Sequence, residues 1–384
     1  MQTIQDQLTR KQIGDLPKVK SFLDSVGRNS KQSRQTYHAA IVDFQHFLHK
    51  KYPGQTADSI LANLVKNEIN VYELLEGFVS FESSVRLSVR SIRLYITAIK
   101  SYLSYHDIDI IPSKFKRRVR VPKLYREDEE ALDEKDIRKI LLACNSRRLK
   151  PYLLVLASGG PRAIEALAVR LNDVDFSCNP TKLHIRKEYA KTRVARDIYI
   201  SDEATQYLKS WIEWKYRNKQ TRNPEDLVFG VFTKSKEPTN LYMDMRKEFA
   251  RVLEAVGFGE RKDGMKRRKI TLHSLRRFTK TVVTNQTSQD YSEWLLGHNK
   301  SPYYTVKEPE RREIYAAKCM KYLTFLDYTT LEATGKNIEA KISEKDNEMQ
   351  AMKTKYEQDM KAIRQEMENK FQQILTKIDV TKVK

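Results

Sequence analysis

Cysteine is scarce. The chain has three (Cys144, Cys178, Cys319) in 384 residues, widely spaced and with no CxxC pair. That excludes a disulfide framework and a thiolate zinc site. It reads instead as small buried side chains in a reducing compartment. No apolar run approaches a membrane span, and the opening MQTIQDQLTRKQ is too polar for a secretory signal. The expectation is therefore a cytoplasmic protein with no membrane partner. Acidic residues are also in deficit, 50 Asp and Glu against 71 Lys and Arg, for a net charge of +21. Such an excess points to a polyanion, with nucleic acid ahead of an acidic membrane surface.

The length suits two domains and an extension. Residues 1–16 are polar and read as a flexible N-terminus. Residues 17–108 read as a helical bundle, because Tyr37, Ile41, Phe44, Phe47 and Leu48 recur at three- and four-residue spacing. Its last unit, Val85 to Tyr105, interleaves Arg86, Arg90, Arg93 and Lys100 with Val89, Ile92, Ile96, Ile99 and Leu103, which predicts a basic side. Residues 109–131 read as an extended basic linker, since Pro112 and Pro122 oppose a helix through it. Within it Lys114, Lys116, Arg117, Arg118 and Arg120 are suited to lying along phosphates.

Residues 132–335 predict a mainly helical domain with a small β-sheet. Asp133 is placed to start a helix. The alternation in 183–200 predicts a hairpin with its turn near Lys191. Residues 336–384 read as a C-terminal helical, coiled-coil-like extension. Ile342, Met349, Tyr356 and Ile363 lie seven apart, Met367, Phe371, Ile374 and Ile378 continue after a register shift, and no Pro or Gly follows Gly335. This segment holds 11 Lys and Arg and 9 Asp and Glu, a net 11 − 9 = +2, so +19 belongs to the first 335 residues. The predicted fold class is mainly α with a small β-sheet.

Five basic residues carry the chemical signal. Arg162 follows Gly159, Gly160 and Pro161, a sequence that turns into a helix and places Arg162 in its first turn, where backbone N–H groups favour an anion. Glu165, three residues on, could hold the guanidinium in place. His273 and Arg276 share one side of a helix and could reach one phosphate, Arg as a planar fork and His as a proton carrier near neutral pH. Lys191 on a hairpin could donate a proton to a leaving oxygen. His298 closes the run Trp294-Leu295-Leu296-Gly297-His298, with Gly297 allowing a sharp helix end. Taken singly, each is more often an ordinary surface or structural residue.

Together, in the order GGPRAIEAL, the hairpin lysine, HSLRR and WLLGH, they resemble the tyrosine recombinases of the phage integrase family, and most of all archaeal integrases. The N-terminal bundle, ending in SVRSIRLYITAIKSYLSYH, resembles that family's core-binding domain, and residues 132–335 its catalytic domain. The resemblance implies a catalytic set of Arg162, Lys191, His273, Arg276 and His298 with a tyrosine nucleophile. It implies no metal and no cofactor. The implied partner is duplex DNA at attachment sites, bound by a homotetramer, with the C-terminal helix free to meet an accessory protein and the whole associated with the nucleoid. The usual nucleophile position, nine residues after the last histidine, is Lys307 here. In archaeal members the first tyrosine after the GH-x-x-S motif looks like the nucleophile, which favours Tyr303, with Tyr304 as the alternative. Tyr315, Tyr322 and Tyr328 fall in an amphipathic stretch and read as packing. Two rivals stay open: a type IB topoisomerase, which shares the chemistry, and a catalytically silent DNA-binding protein.

Overall fold

The computed structural model describes residues 8–85, 87–124, 131–232, 237–261, 268–298, 301–326, 345, 348–368 and 370. The chain divides into two compact units, Met1–Asp128 and Glu129–Lys384. Both are mainly helical, and the second carries a three-stranded antiparallel sheet, the class that the periodicity predicts. No described helix is long and apolar enough to cross a membrane.

The first unit contains α1 (Arg10–Asp15), α2 (Pro17–Asn29), α3 (Lys31–Lys51), α4 (Ile60–Val65), α5 (Val71–Ser84), α6 (Val89–Tyr105) and α7 (Pro112–Arg118). Side-chain oxygens start several of them: Ser30 caps α3, Asn70 caps α5 and Ser88 caps α6, each accepting from backbone N–H groups of the first turn. The core is aromatic. Phe44 meets Phe78 edge-on at 5.3 Å, and Phe22 meets Tyr102 at 5.4 Å. Buried Gln45 satisfies an irregular loop, accepting from the Ala57 N–H at 2.7 Å and donating to the Gln55 carbonyl at 3.2 Å.

Two expectations fail here. The flexible N-terminus over 1–16 does not hold for residues 8–16. Thr9 and Gln12 form a reciprocal capping box, and Ile13 is fully buried on α2 and α3. One apolar residue in a polar stretch is enough to anchor a single helical turn. The linker is also not extended throughout. Pro112 occupies the first turn of α7, where its missing N–H costs nothing and its fixed φ favours the helix, and α7 packs on α5.

The second unit contains α8 (Glu134–Ala143), α9 (Leu149–Gly159), α10 (Ala163–Leu167), β1 (Val174–Asp175), β2 (Lys182–Ile185), β3 (Arg196–Tyr199), α11 (Asp202–Tyr216), α12 (Pro238–Ala255), α13 (Leu272–Gln286), α14 (Gln289–Leu295) and α15 (Glu308–Ile314). Asp133 caps α8 through a capping box with Asp136. The core is built around α9, in which every residue from Pro151 to Gly159 is buried and against which α11 and α13 pack. Thr279 on α13 donates to the Ala157 carbonyl at 2.8 Å, joining the two helices at their most buried point. β2 and β3 pair from Lys182↔Tyr199 to Ile185↔Arg196, so residues 186–195 form the connecting loop, with Lys191 in it. Cys144 and Cys319 are buried and Cys178 is half-buried, all three as free thiols.

In the tail, residues 348–368 are helical and exposed. The remainder of the predicted extension lies mostly outside the described residues, as do Arg86 and Tyr328.

Replacing Phe44, fully buried among aromatic rings, with alanine is expected to destabilise the first unit by about 3–5 kcal/mol. Urea unfolding followed by far-UV circular dichroism measures this. A loss below about 1 kcal/mol would mean that the site collapses around the gap and that the ring is not a keystone of this core.

Candidate active site

The site is organised by a buried carboxylate. α9 ends at Gly160, whose left-handed backbone (φ 64°) reverses the chain. A Cβ there would come within 2.9 Å of Leu296 and 3.1 Å of Thr279, so glycine is required both by conformation and by space. Arg162 then sits immediately before α10, as its N-cap and not inside its first turn as the sequence predicts. Its backbone N–H donates to Glu165 Oε2 at 2.8 Å and its guanidinium Nη1 to Oε1 at 2.7 Å. The expected hold of Glu165 on Arg162 is therefore present, on both backbone and side chain.

Glu165 takes a second arginine that sequence reading missed. Arg196, at the start of β3, has a fully buried side chain and donates from Nη2 to Glu165 Oε2 at 2.7 Å. Its Nε donates to the Leu295 carbonyl at 3.0 Å, and its Nη1 is buried with no hydrogen-bond partner among the described residues. Burial pushes the Glu165 carboxyl up. The Arg196 charge and hydrogen bond, with those of Arg162, more than offset this and hold it below its ordinary value of 4.5. Nothing local in RVARD separates Arg196 from its exposed neighbours. Only the inward side of β3 does.

Arg276 is the third arginine. It is 5% exposed, and its two terminal nitrogens donate to the carbonyls of Gly160 and Leu296, each at 2.6 Å. Burial first, and the neighbouring Arg162 charge second, push its pKa down to about 9. It remains charged at neutral pH, at a cost that a bound anion would lower. Arg162, Arg196 and Arg276 against Glu165 leave 3 − 1 = +2 in a group of which all but Arg162 are buried.

α14 delivers the last histidine. Its C-terminus closes in a Schellman arrangement, Gly297 N–H to the Trp294 carbonyl and His298 N–H to the Glu293 carbonyl, both at 2.8 Å, with Gly297 at φ 75°. Gly297 is the predicted sharp end, and a Cβ on it would stand 2.5 Å from the Arg196 guanidinium. His298 Nδ1 meets the Glu293 carboxylate, which also pairs with Lys280 at 2.6 Å. A proton on Nδ1 shared with Glu293 makes Nε2 the ring atom open to a ligand. The loop carrying Lys191 reaches the same corner, because Thr192 donates to the Gly297 carbonyl at 3.3 Å. Lys191 itself is exposed. His273 is exposed on the first turn of α13, whereas Arg276, one turn on, is buried. The two share a side of α13 but differ in depth.

The tyrosines separate clearly. Ser301 caps a 3₁₀ turn over Pro302–Tyr304, accepting from the Tyr303 N–H and donating to the Asp290 carbonyl. Tyr303 packs edge-on against Tyr291, centroids 5.2 Å apart. Tyr304 has a buried hydroxyl with no hydrogen-bond partner among the described residues. Burial raises its pKa, Arg196 and Arg162 act against that rise, and Glu165 adds to it. Its phenol therefore lies in the field of the arginine–carboxylate network. Tyr315 is buried and donates to the Ser158 carbonyl at 3.1 Å, as packing predicts. Tyr322 is 40% exposed with Lys321 over its ring, so the packing expectation fails for it.

Comparison with known proteins bears on this arrangement. The profile of the phage integrase family matches residues 130–305, a stretch containing Arg162, Lys191, His273, Arg276, His298 and both tyrosines of SPYY. That stretch, a little under half of the chain, is of the phage integrase family. Its curated relatives include the tyrosine recombinase XerA of Saccharolobus solfataricus, 29% identical over 47% of this chain and 57% of that protein. XerA of Pyrococcus horikoshii is 33% identical over 23% and 30%. Transposase A of transposon Tn554 from Staphylococcus aureus is 23% identical over 46% and 51%. The chain thus spans between 30% and 57% of the length of these curated relatives. The crystal structure of the XerH site-specific recombinase bound to difH substrate, in a pre-cleavage complex, is 15% identical, covers 86% of this chain and 85% of that one, and has a TM-score of 0.51. This likeness is one of fold.

Several of the basic residues expected to bind DNA also hold the first unit together. Arg93 donates to the Pro122 carbonyl at 3.1 Å, Lys100 lies 4.0 Å over the Phe115 ring, and Arg118 pairs with Glu73 at 3.0 Å. The side chains of Arg90, Lys114, Lys116, Arg117 and Arg120 are exposed.

A linkage argument gives a test of the buried network. A carboxyl with a depressed folded pKa contributes stability that is present above its unfolded pKa and lost as pH falls through the folded one. In the native protein Glu165 thus supports the fold at pH above about 4.5 and loses that role in more acid solution. Arg196→Met removes its main counter-charge. It is expected to cost about 3–5 kcal/mol at neutral pH, a cost that shrinks as pH falls and Glu165 takes up a proton. Adding Glu165→Gln should remove most of that pH dependence. A cost that stays constant between neutral and acid pH, read from urea unfolding by tryptophan fluorescence, would show that Arg196 does not set the charge on Glu165.

Proposed function

We propose that this protein is a site-specific tyrosine recombinase that cleaves and rejoins duplex DNA through a 3′-phosphotyrosyl intermediate, integrating or excising a mobile element. The observation that carries the reading is the gathering of Arg162, Arg276, His298 and an unpartnered tyrosine hydroxyl around one net-positive buried network. Such a pocket fits the non-bridging oxygens of a phosphodiester, whose charge grows as the phosphorus becomes five-coordinate.

In the proposed reaction the tyrosine oxygen attacks phosphorus and the bond to the 5′ oxygen breaks. Arg162 and Arg276 bind the non-bridging oxygens. Lys191, on its exposed loop, protonates the departing 5′ oxygen, and His273 takes the phenolic proton. His298 holds a phosphate oxygen through Nε2, its ring fixed by Glu293. The phosphotyrosyl bond conserves the energy of the broken linkage, so religation by a 5′-hydroxyl needs no ATP. Four protomers on two duplexes would carry out exchange, as the family resemblance implies, and the work would be done where DNA is, at the nucleoid. Among the two candidate tyrosines, burial of the Tyr304 hydroxyl within reach of the Arg162 and Arg196 charges favours Tyr304. The ring of Tyr303 is committed to Tyr291.

On a nicked suicide duplex, Tyr304→Phe is expected to abolish covalent protein–DNA adducts while leaving DNA binding intact, and Tyr303→Phe to retain adducts. Mass spectrometry of the adduct peptide locates the linkage. The reverse pattern would transfer the role to Tyr303, and adducts in neither variant nor wild type would remove the enzymatic reading altogether. DNA affinity should also fall steeply with salt, because phosphate contacts release counterions. A flat log–log salt plot would contradict binding through the exposed basic residues.

A further inference from the structure

The tail helix carries a feature that the catalytic reading does not use. Over residues 348–368 six large apolar side chains, Met349, Met352, Tyr356, Met360, Ile363 and Met367, are between 49% and 72% exposed. Their spacing is three, four, four, three and four. Continued along the sequence, the same rhythm reaches Phe371, Ile374 and Ile378, so that each apolar residue recurs eleven positions later: 349, 360, 371; 352, 363, 374; 356, 367, 378. A seven-residue reading from Met349 and Met352 instead puts Asp359 and Glu366 on core positions. The eleven-residue reading puts no charge on any of the nine.

Eleven residues in three turns is about 3.67 per turn, slightly more than the α-helix itself. A stripe of this period stays on one side of a nearly straight helix and drifts gently right-handed, so it fits another helix with the same drift. From 349 to 367 it is about 27 Å long, a straight narrow stripe that suits another helix.

Charge decides among occupants. Residues 348–370 contain five basic residues (353, 355, 361, 364, 370) and five acidic ones (348, 357, 359, 366, 368), a net of 5 − 5 = 0 in a chain of +21. The helix is therefore not drawn to phosphates, and the basic units offer it no opposite charge. Both sides of the stripe carry both signs: Lys353, Glu357, Lys361, Arg364 and Glu368 on one, Lys355, Asp359, Glu366 and Lys370 on the other. A like helix would meet partners of opposite sign along either flank. We propose that this stripe is an eleven-residue-repeat coiled-coil seam through which the protein associates with a second copy of itself, in the absence of DNA.

Sedimentation velocity of the full chain without DNA tests the proposal. The wild type is expected to self-associate at micromolar concentration. Met360→Lys with Ile363→Lys, both at exposed positions, should weaken this by at least about tenfold. One alanine inserted after Gln358 rotates the following stripe by about 100° and should weaken association equally. Inserting a duplicate of residues 349–359 restores phase and should leave it intact. A monomeric wild type would overturn the proposal, and so would association unaffected by the double lysine variant. If the single alanine and the eleven-residue insertion act alike, the period is not what the partner reads. None of these readouts uses cleavage activity, so failure here leaves the catalytic reading untouched.

Discussion

Everything in the second unit that faces the chemistry depends on where the Glu165 carboxylate is held. It is 2% exposed and binds the backbone and side chain of Arg162 and the side chain of Arg196. A lone buried carboxylate would be strongly unfavourable. Two guanidinium partners convert it into a fixed negative centre that aims positive groups. Through Arg196 the constraint reaches the Leu295 carbonyl at the end of α14, and α14 ends at Gly297 and His298. Arg276 closes the circuit by donating to Gly160, before Arg162, and to Leu296, before Gly297. Four segments distant in sequence are thereby fixed to one another by charge-assisted hydrogen bonds.

The same circuit is built to be incomplete. Two arginines hold one carboxylate and a third lies close by, one nitrogen of Arg196 has no partner among the described residues, and the pKa of Arg276 is driven down to about 9 by burial and like charge. A site meant only for stability would neutralise this excess. In the proposed reaction the excess is what a phosphate, brought in with its own negative charge, would satisfy, and the attraction would grow as charge builds during attack. The glycines at 160 and 297 make the close approach possible, since both take left-handed backbone and neither leaves room for a Cβ.

The sequence was legible where local rules govern. The apolar spacing in the first unit, the Asp133 cap, the hairpin around Lys191 and the glycine end before His298 all appear as periodicity and turn chemistry predict. It was illegible where a single contact decides. Ile13 anchors a stretch whose composition reads as solvated, Pro112 starts a helix where it reads as a breaker, and Arg196 is buried while the nearby Lys191 and Arg193 are exposed. In each case the deciding term is a long-range neighbour that short-range pattern does not encode. The family resemblance gathers Arg162, His273 and Arg276 as equals, yet packing places Arg276 deep and His273 at the surface, so their chemical roles differ with depth.

Depth also separates the two adjacent tyrosines. In a 3₁₀ turn successive side chains point about 120° apart, so Tyr303 and Tyr304 cannot face the same surroundings. Ser301 fixes the turn by bonding the Asp290 carbonyl on α14, the helix that ends in His298. With that anchor, turning one ring onto Tyr291 turns the other toward the Glu165 network. Tyr304 stands six residues beyond His298, and the Ser-Pro-Tyr-Tyr turn, anchored on the helix that precedes the histidine, sets where its hydroxyl lies. In the proposed reaction that turn would do the work of the longer spacing common in the family.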